Sequence, residues 1–294
     1  MMSAKENRNG DSMFGILSES ILKDIYGTLG NLEKSCNKSK ECWDKSKVDW
    51  EEMSTNENQK PYKPYLGENF NGLMFAGINL NGGNNDINAI DHLVNGTENV
   101  KGAGVLNGAK DYLREGRYRI FKQNGYGGSS FYYYVPLLSF LYYSYSNFNR
   151  KFTKEEDLTR EEKVSGFEYC GLTNLIKCST NSSDGRSKPS KPMYDNCIKK
   201  FEKELGIINP KALVIFTFFN YPSLLADKFV GFSEIPKDES YTPKKMRYRV
   251  QRKKDLYVLE LEHPLSTAIT RERKFQTYSD AIYKLVDLQK KIIT

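Results

Sequence analysis

Four short apolar runs stand out from an otherwise polar chain: Leu73-Met-Phe-Ala-Gly-Ile78, Phe167-Glu-Tyr-Cys-Gly-Leu-Thr-Asn174, Ala212-Leu-Val-Ile-Phe-Thr217 and Leu256-Tyr-Val-Leu-Glu-Leu-Glu-His263. Each has the length of a buried strand and ends in, or is followed directly by, a polar residue. The segments between them are long enough for crossover helices, so the pattern predicts an α/β fold built on a parallel sheet. Ligands of such sheets sit outside the carboxyl ends of the strands. Asn79, Asn174 and His263 lie at or just past predicted strand ends and are expected around one crevice. After the first run comes Asn79-Leu-Asn-Gly-Gly-Asn-Asn85. It offers amides and backbone N–H groups with little bulk, so a ligand can approach the main chain closely.

Between the strands the apolar period changes to that of helices. Residues 1–60 read as a polar extension packed onto a domain spanning 61–294, with a helix from about Gly15 to Leu32 carrying Ile16, Leu17, Ile21, Ile25 and Leu29. Short helices are expected over 89–94 and 108–121. The aromatic stretch Phe131 to Phe148 predicts a buried helix, broken or started at Pro136; a stacking platform for bases is the alternative. Residues 151–163 read as a charged connector, and 179–192 as a Ser/Gly/Pro-rich loop. Tyr194 to Leu205 predicts an amphipathic helix feeding the third strand through Asn209-Pro-Lys211. A basic arm or hairpin is expected as an insertion over 228–255. The final helix, 271–293, turns Ala281, Ile282, Leu285 and Leu288 inward. The sequence contains no internal repeats.

Composition narrows the class. The 294 residues are 38% hydrophobic and 28% charged, as in globular proteins, and no apolar run is long enough to cross a bilayer. The first residues lack the apolar core of a signal peptide, so a cytoplasmic monomer is expected. The formal charge of +7 permits an anionic partner, and position sharpens this. Lys244 to Lys254 concentrates seven basic residues, and Arg271, Arg273 and Lys274 follow His263. Positive charge therefore brackets the end of the last strand, as expected where phosphates pass. Five cysteines at this length read as reduced thiols and not as a disulfide framework.

Taken in order, these segments resemble the uracil-DNA glycosylase superfamily over roughly 66–293. Gly77-Ile-Asn-Leu-Asn81 is similar to the first motif of that family, nearest to the Gly-Ile-Asn-Pro form of its mismatch-specific branch. Thr173-Asn-Leu-Ile-Lys-Cys178 resembles the middle motif, in which an Asn at a strand end reads the extruded base. The passage from Cys197 through Glu204 to Asn209-Pro-Lys-Ala-Leu-Val-Ile215 matches the helix and strand that follow it. His263-Pro-Leu-Ser266 resembles the last motif, His-Pro-Ser. The departures fall in two loops. Leu80 stands for the usual Pro, and Asn81 for the Tyr that blocks 5-substituted pyrimidines, which leaves room at C5 beside Gly82 and Gly83. Leu265 also separates Pro264 from Ser266.

The resemblance implies a three-layer α/β/α sandwich with a central four-stranded parallel sheet, and a monofunctional DNA glycosylase acting on a flipped pyrimidine. It implies His263 as donor to the O2 side of the departing base and Asn79 as the residue that positions water at C1′. Asn174, with Asn81 and Gly82, would recognise the base. Lys177, Ser266, Arg186, Lys244, Arg247, Arg249 and Arg271 would contact DNA. No cofactor is required. Cys178 and Cys197 fall where the iron–sulfur branch has two cluster ligands, but Cys36 and Cys42 lack the usual spacing for the other two. Two substrate readings remain open: an enlarged, modified pyrimidine such as glucosylated hydroxymethylcytosine of phage DNA, or uracil. A catalytically inactive DNA-binding relative is the alternative from another class. His92 reads as structural.

Overall fold

The structure, a computed structural model, describes residues 15–16, 65–67, 69–77, 130–175, 191–218, 248–253, 255–262 and 271–291. The chain divides into two compact units, the first made of 1–68, 77–103 and 172–209, the second of 69–76, 104–171 and 210–294. The fold is mixed α/β with a five-stranded, mostly parallel sheet in the order β4-β3-β5-β7-β6. Its strands are β3 (Leu73–Gly77), β4 (Cys170–Asn174), β5 (Ala212–Phe218), β6 (Tyr248–Lys253) and β7 (Leu256–Glu262). The four apolar runs therefore all become strands, and the chain reverses its lateral direction at β3.

In the second unit, β3 pairs parallel with β5 and β5 parallel with β7. Leu73, Met74, Phe75, Ala76, Leu213, Val214 and Leu259 have no exposed surface. Strands covered on both faces read as continuous apolar runs, which is why the sequence pattern finds them. β6 returns antiparallel along β7, from Tyr248 opposite Leu261 to Lys253 opposite Leu256. The basic arm predicted over 228–255 is thus, over its last residues, an edge strand of the sheet. Its buried Tyr248 and Val250 alternate with Arg249, the period of a half-covered strand.

Helix α1 (Ser130–Phe148) is the predicted aromatic helix, but Pro136 lies inside it and neither breaks nor starts it. Val135, Leu137, Leu138 and Leu141 are fully buried, so packing on all sides holds a helix that a proline would weaken in isolation. The connector expected over 151–163 is instead structured. A short 3-10 turn (Glu155–Asp157) leads into α2 (Arg160–Tyr169), where the second strand was expected to begin at Phe167. Thr159 and Glu162 form a reciprocal capping box: the Glu162 N–H donates to Thr159 Oγ1 at 3.1 Å and the Thr159 N–H to Glu162 Oε2 at 2.8 Å. Lys163 and Glu155, both buried, pair at 3.5 Å and fold the turn onto the helix. The last helix, α4 (Arg271–Lys290), buries Tyr278, Ala281, Ile282 and Leu285 completely, as its apolar spacing predicts.

In the first unit, α3 (Lys191–Ile208) carries a stripe of Tyr194, Cys197, Ile198, Phe201 and Leu205, all buried. Asn209 ends it in the left-handed conformation (φ 51°), its N–H donating to the Leu205 carbonyl at 2.8 Å. Gly15 and Ile16 form strand β1, which pairs antiparallel with β2 (Tyr65–Leu66). The helix expected from Gly15 therefore does not begin there; glycine and a β-branched residue favour extended chain. The remainder of that helix, and those expected over 89–94 and 108–121, lie outside the described residues. Among the described residues, no helix is long and apolar enough to cross a membrane.

Helices α1 and α2 touch backbone to backbone at Gly166, where a Cβ would overlap the carbonyl of Pro136. By propensity alone, Gly166→Ala would stabilise α2 by about 1 kcal/mol. Overlap with a backbone atom reverses the sign, and a net loss of about 1–3 kcal/mol is expected, read as a lower urea midpoint at unchanged m-value.

Candidate functional site

In the first unit, the two segments singled out as the first and middle motifs leave the sheet side by side. β4 ends at Asn174 and β3 at Gly77, and the Leu175 N–H donates to the Gly77 carbonyl at 2.8 Å. At the other ends of the same strands, in the second unit, the Asn71 N–H donates to the Tyr169 carbonyl at 3.1 Å. β3 and β4 thus run in one direction. The Asn174 side chain, 7% exposed, lies over the backbone of Gly77, where a Cβ would overlap its amide oxygen. Glycine permits this close approach, and a carboxamide lies at the point where two parallel strands stop.

One residue earlier the strand faces the other way. Thr173, buried, donates its hydroxyl to Glu204 of α3 in a short hydrogen bond, and Glu204 has no exposed surface. A carboxylate at that depth is tolerated because it accepts from a neighbouring donor. The sequence held a signal for it: Glu204 falls on the inner stripe of α3, in register with Cys197 and Phe201.

In the second unit, β7 buries two acids on one face, Glu260 and Glu262. Arg249, opposite Glu260 on β6, donates from Nε to Glu260 Oε2 at 2.5 Å, and its terminal nitrogen closes an ion pair with the same oxygen. Burial raises the Glu260 carboxyl above its ordinary range, opposed by Arg249. On α4, burial lowers Lys274 while the charge of Glu262 raises it. Tyr278, wholly buried, donates its hydroxyl to the Glu262 carbonyl at 2.6 Å.

Of the residues predicted for the site, three fall among those described. Asn174 sits at the strand end as above. The guanidinium of Arg249 is engaged with Glu260 in the sheet. Arg271 is the first residue of α4. Asn79, Asn81, Gly82, Lys177, Arg186, Lys244, Arg247, His263 and Ser266 lie outside the described residues. In sequence, Asn79 follows Gly77 by two positions and His263 directly follows Glu262. Cys178, Cys36 and Cys42 also lie outside, and Cys197 is a buried thiol on α3. Burial pushes the Cys170 thiol up to about 12, so it is no nucleophile. Among the described residues, no group of three or more His, Cys, Asp or Glu could hold a metal ion.

A cleft of about 580 Å³ opens in the second unit between α4 and the segment after α1, lined among others by Lys151, Tyr248, Asp280, Tyr283 and Asp287. Two of its polar groups, Asp287 and Lys151, are engaged with Tyr145 of α1. Tyr145 donates to Asp287 at 2.6 Å, and Lys151 stands 4.4 Å over the Tyr145 ring. No protein-family model matches the chain, and no curated protein matches it in sequence.

Two measurements test this geometry. Gly77→Ala and Asn174→Ala should couple: the first alone is expected to cost about 1–3 kcal/mol, and much less once Asn174→Ala has removed the overlapping amide. Additive denaturation energies would rule the contact out. For Glu260 the folded-state value lies above the ordinary 4.5. The stability it contributes is therefore complete below that pH and is lost as pH rises through the folded value. Melting temperature against pH should fall less steeply over that window in Glu260→Gln, while Arg249→Met should extend the fall to higher pH. At neutral pH, Arg249→Met is expected to cost about 3–5 kcal/mol, since it leaves a buried carboxylate unpaired.

Proposed function

We propose that the chain is a monofunctional DNA glycosylase of the uracil-DNA glycosylase type. In this reading its sheet is the centre of a three-layer α/β/α sandwich, and the protein acts as a monomer in the cytoplasm. The observation that carries the proposal is the Asn174 carboxamide laid over Gly77 at the ends of two adjacent parallel strands. A carboxamide both donates and accepts, which suits the edge of a pyrimidine. The glycine begins the Gly77-Ile-Asn-Leu-Asn81 segment, which supplies the remaining polar groups.

Breaking an N-glycosidic bond leaves positive charge on the sugar and negative charge on the departing base. Catalysis is then mostly electrostatic, by donors fixed where the anion develops. His263 donates to the O2 side of the base. Asn79 places water against C1′, where an oxocarbenium-like centre needs position more than basicity. Asn81 and Gly82 leave space at C5, so the favoured substrate is an enlarged pyrimidine such as glucosylated hydroxymethylcytosine of phage DNA. Lys177, Ser266, Arg186, Lys244, Arg247 and Arg271 face phosphates, whereas Arg249 is given to the sheet. No cofactor takes part.

The test is base release over a panel of duplexes and single strands carrying uracil, hydroxymethylcytosine, its glucosylated form or ordinary cytosine. Abasic sites should form in the glucosylated DNA, and His263→Ala should lower turnover by about 10²–10³-fold while DNA binding survives. Activity on uracil alone would overturn the choice of substrate. Binding without turnover on any DNA would leave a nucleic-acid-binding protein in place of an enzyme.

A further inference from the structure

The second unit ties the end of β7 to α4 through one hydroxyl. Tyr278 donates to the Glu262 carbonyl at 2.6 Å and has no exposed surface. Its ring is held by its neighbours: Tyr134 meets it edge-on at 5.0 Å and Phe216 lies tilted at 6.2 Å. Glu262 is the last residue of β7, and His263 comes next in the chain. The strand ladder is irregular at this point. Among the described residues, β6 pairs with β7 as far as Leu261, and the β5 pairing passes a register shift between Ile215 and Phe218 before reaching Glu262. Where the ladder is irregular, a fixed side-chain donor sets the plane of the outgoing peptide. The same strand and helix share a counterpart at the opposite end of β7, where the Tyr257 hydroxyl donates to the Leu288 carbonyl at 3.1 Å.

We propose that Tyr278 is a positioning residue for His263: its hydroxyl holds the Glu262 carbonyl and so fixes the peptide from which His263 departs. The claim about turnover rests on the glycosylase reading; the claim about the peptide does not. Burial first, then Tyr134 and Glu262, raise the Tyr278 hydroxyl well above its ordinary value. It is therefore protonated and able to donate near neutral pH.

The test compares Tyr278→Phe, which deletes the hydroxyl and keeps the ring, with Tyr257→Phe, which deletes the equivalent bond at the far end of the strand. The chain has only two histidines, His92 and His263, so His263 can be followed by its imidazole NMR signals after assignment with His92→Gln. Tyr278→Phe should shift the His263 signals and lower base-release turnover by roughly 10-fold to 100-fold, with affinity for DNA unchanged. Tyr257→Phe should do neither, although it removes a bond of the same kind. Wild-type signals in Tyr278→Phe overturn the proposal, as does a Tyr257→Phe that behaves like it. Wild-type turnover in Tyr278→Phe overturns it as well, even where the signals move. Should the wild-type protein release no base, the glycosylase reading falls and the imidazole signals alone decide the role of Tyr278. If Tyr278→Phe does not fold, 4-fluorophenylalanine at 278, which keeps the ring and a polar substituent but cannot donate, is judged by the same two readouts.

Discussion

The second unit depends on the docking of α4, and tyrosines set its register. Tyr278 reaches the Glu262 carbonyl, Tyr257 the Leu288 carbonyl, and Tyr283 both the N–H and the carbonyl of Phe152. Tyr142 and Tyr145, from α1, reach Gln289 and Asp287. All five rings are buried. A buried ring supplies area whichever way it slides, whereas a buried hydroxyl must meet a particular partner or be left unsatisfied. Each bond contributes only about 1 kcal/mol net, but an orphaned hydroxyl costs more than that. These bonds therefore select one seating of the helix among many of similar hydrophobic content. That gives a physical use for five of the 20 tyrosines in the chain.

The parts of the fold that the sequence made legible are those governed by burial on both faces. Runs such as Leu73–Ala76 and Ala212–Ile215 are apolar at every position, and no exposed strand or surface helix tolerates that. The stripes on α3 and α4 were equally plain, with Phe201 and Ile282 where the period puts them. Legibility failed where local polar chemistry overrides the pattern. Thr159-Arg-Glu-Glu162 is a complete capping box, yet the charges around it made the segment look like a connector. The helix it starts runs to Tyr169, so the apparent strand start at Phe167 was helix. Pro136 misled in the opposite direction, since a local rule about proline gave way to packing around α1. In β6 the alternation of Tyr248 and Val250 was present but masked by seven basic residues in eleven.

Of the candidate site, Asn174 and Gly77 were legible because each is out of character for its strand. Asn174 is a polar end to an apolar run, and Gly77 is a residue with no side chain at the end of a strand of bulky apolar ones. Their contact was not legible, because it depends on β3 and β4 being neighbours, which no property of either segment alone determines. Arg249 shows the same limit from the other side. In the sequence it is one more cation in a basic stretch, and only the register of β6 against β7 puts it opposite Glu260.

Polar residues within these strands sort by position. Mid-strand, a polar side chain is enclosed by neighbours, so the fold must supply its partner: Thr173 has Glu204 from a helix, and Glu260 has Arg249 from the adjacent strand. Such pairs are close in cost to the apolar residues they replace, and they specify which elements meet. At a strand's last residue the ladder ends, although burial continues through Leu175. The carboxamide of Asn174 is set at that point by its contact with Gly77. On β7 the strand ends at Glu262, whose carbonyl accepts from the Tyr278 hydroxyl. A carbonyl held by a buried hydroxyl is a rigid support of the kind that a group aimed at a ligand requires.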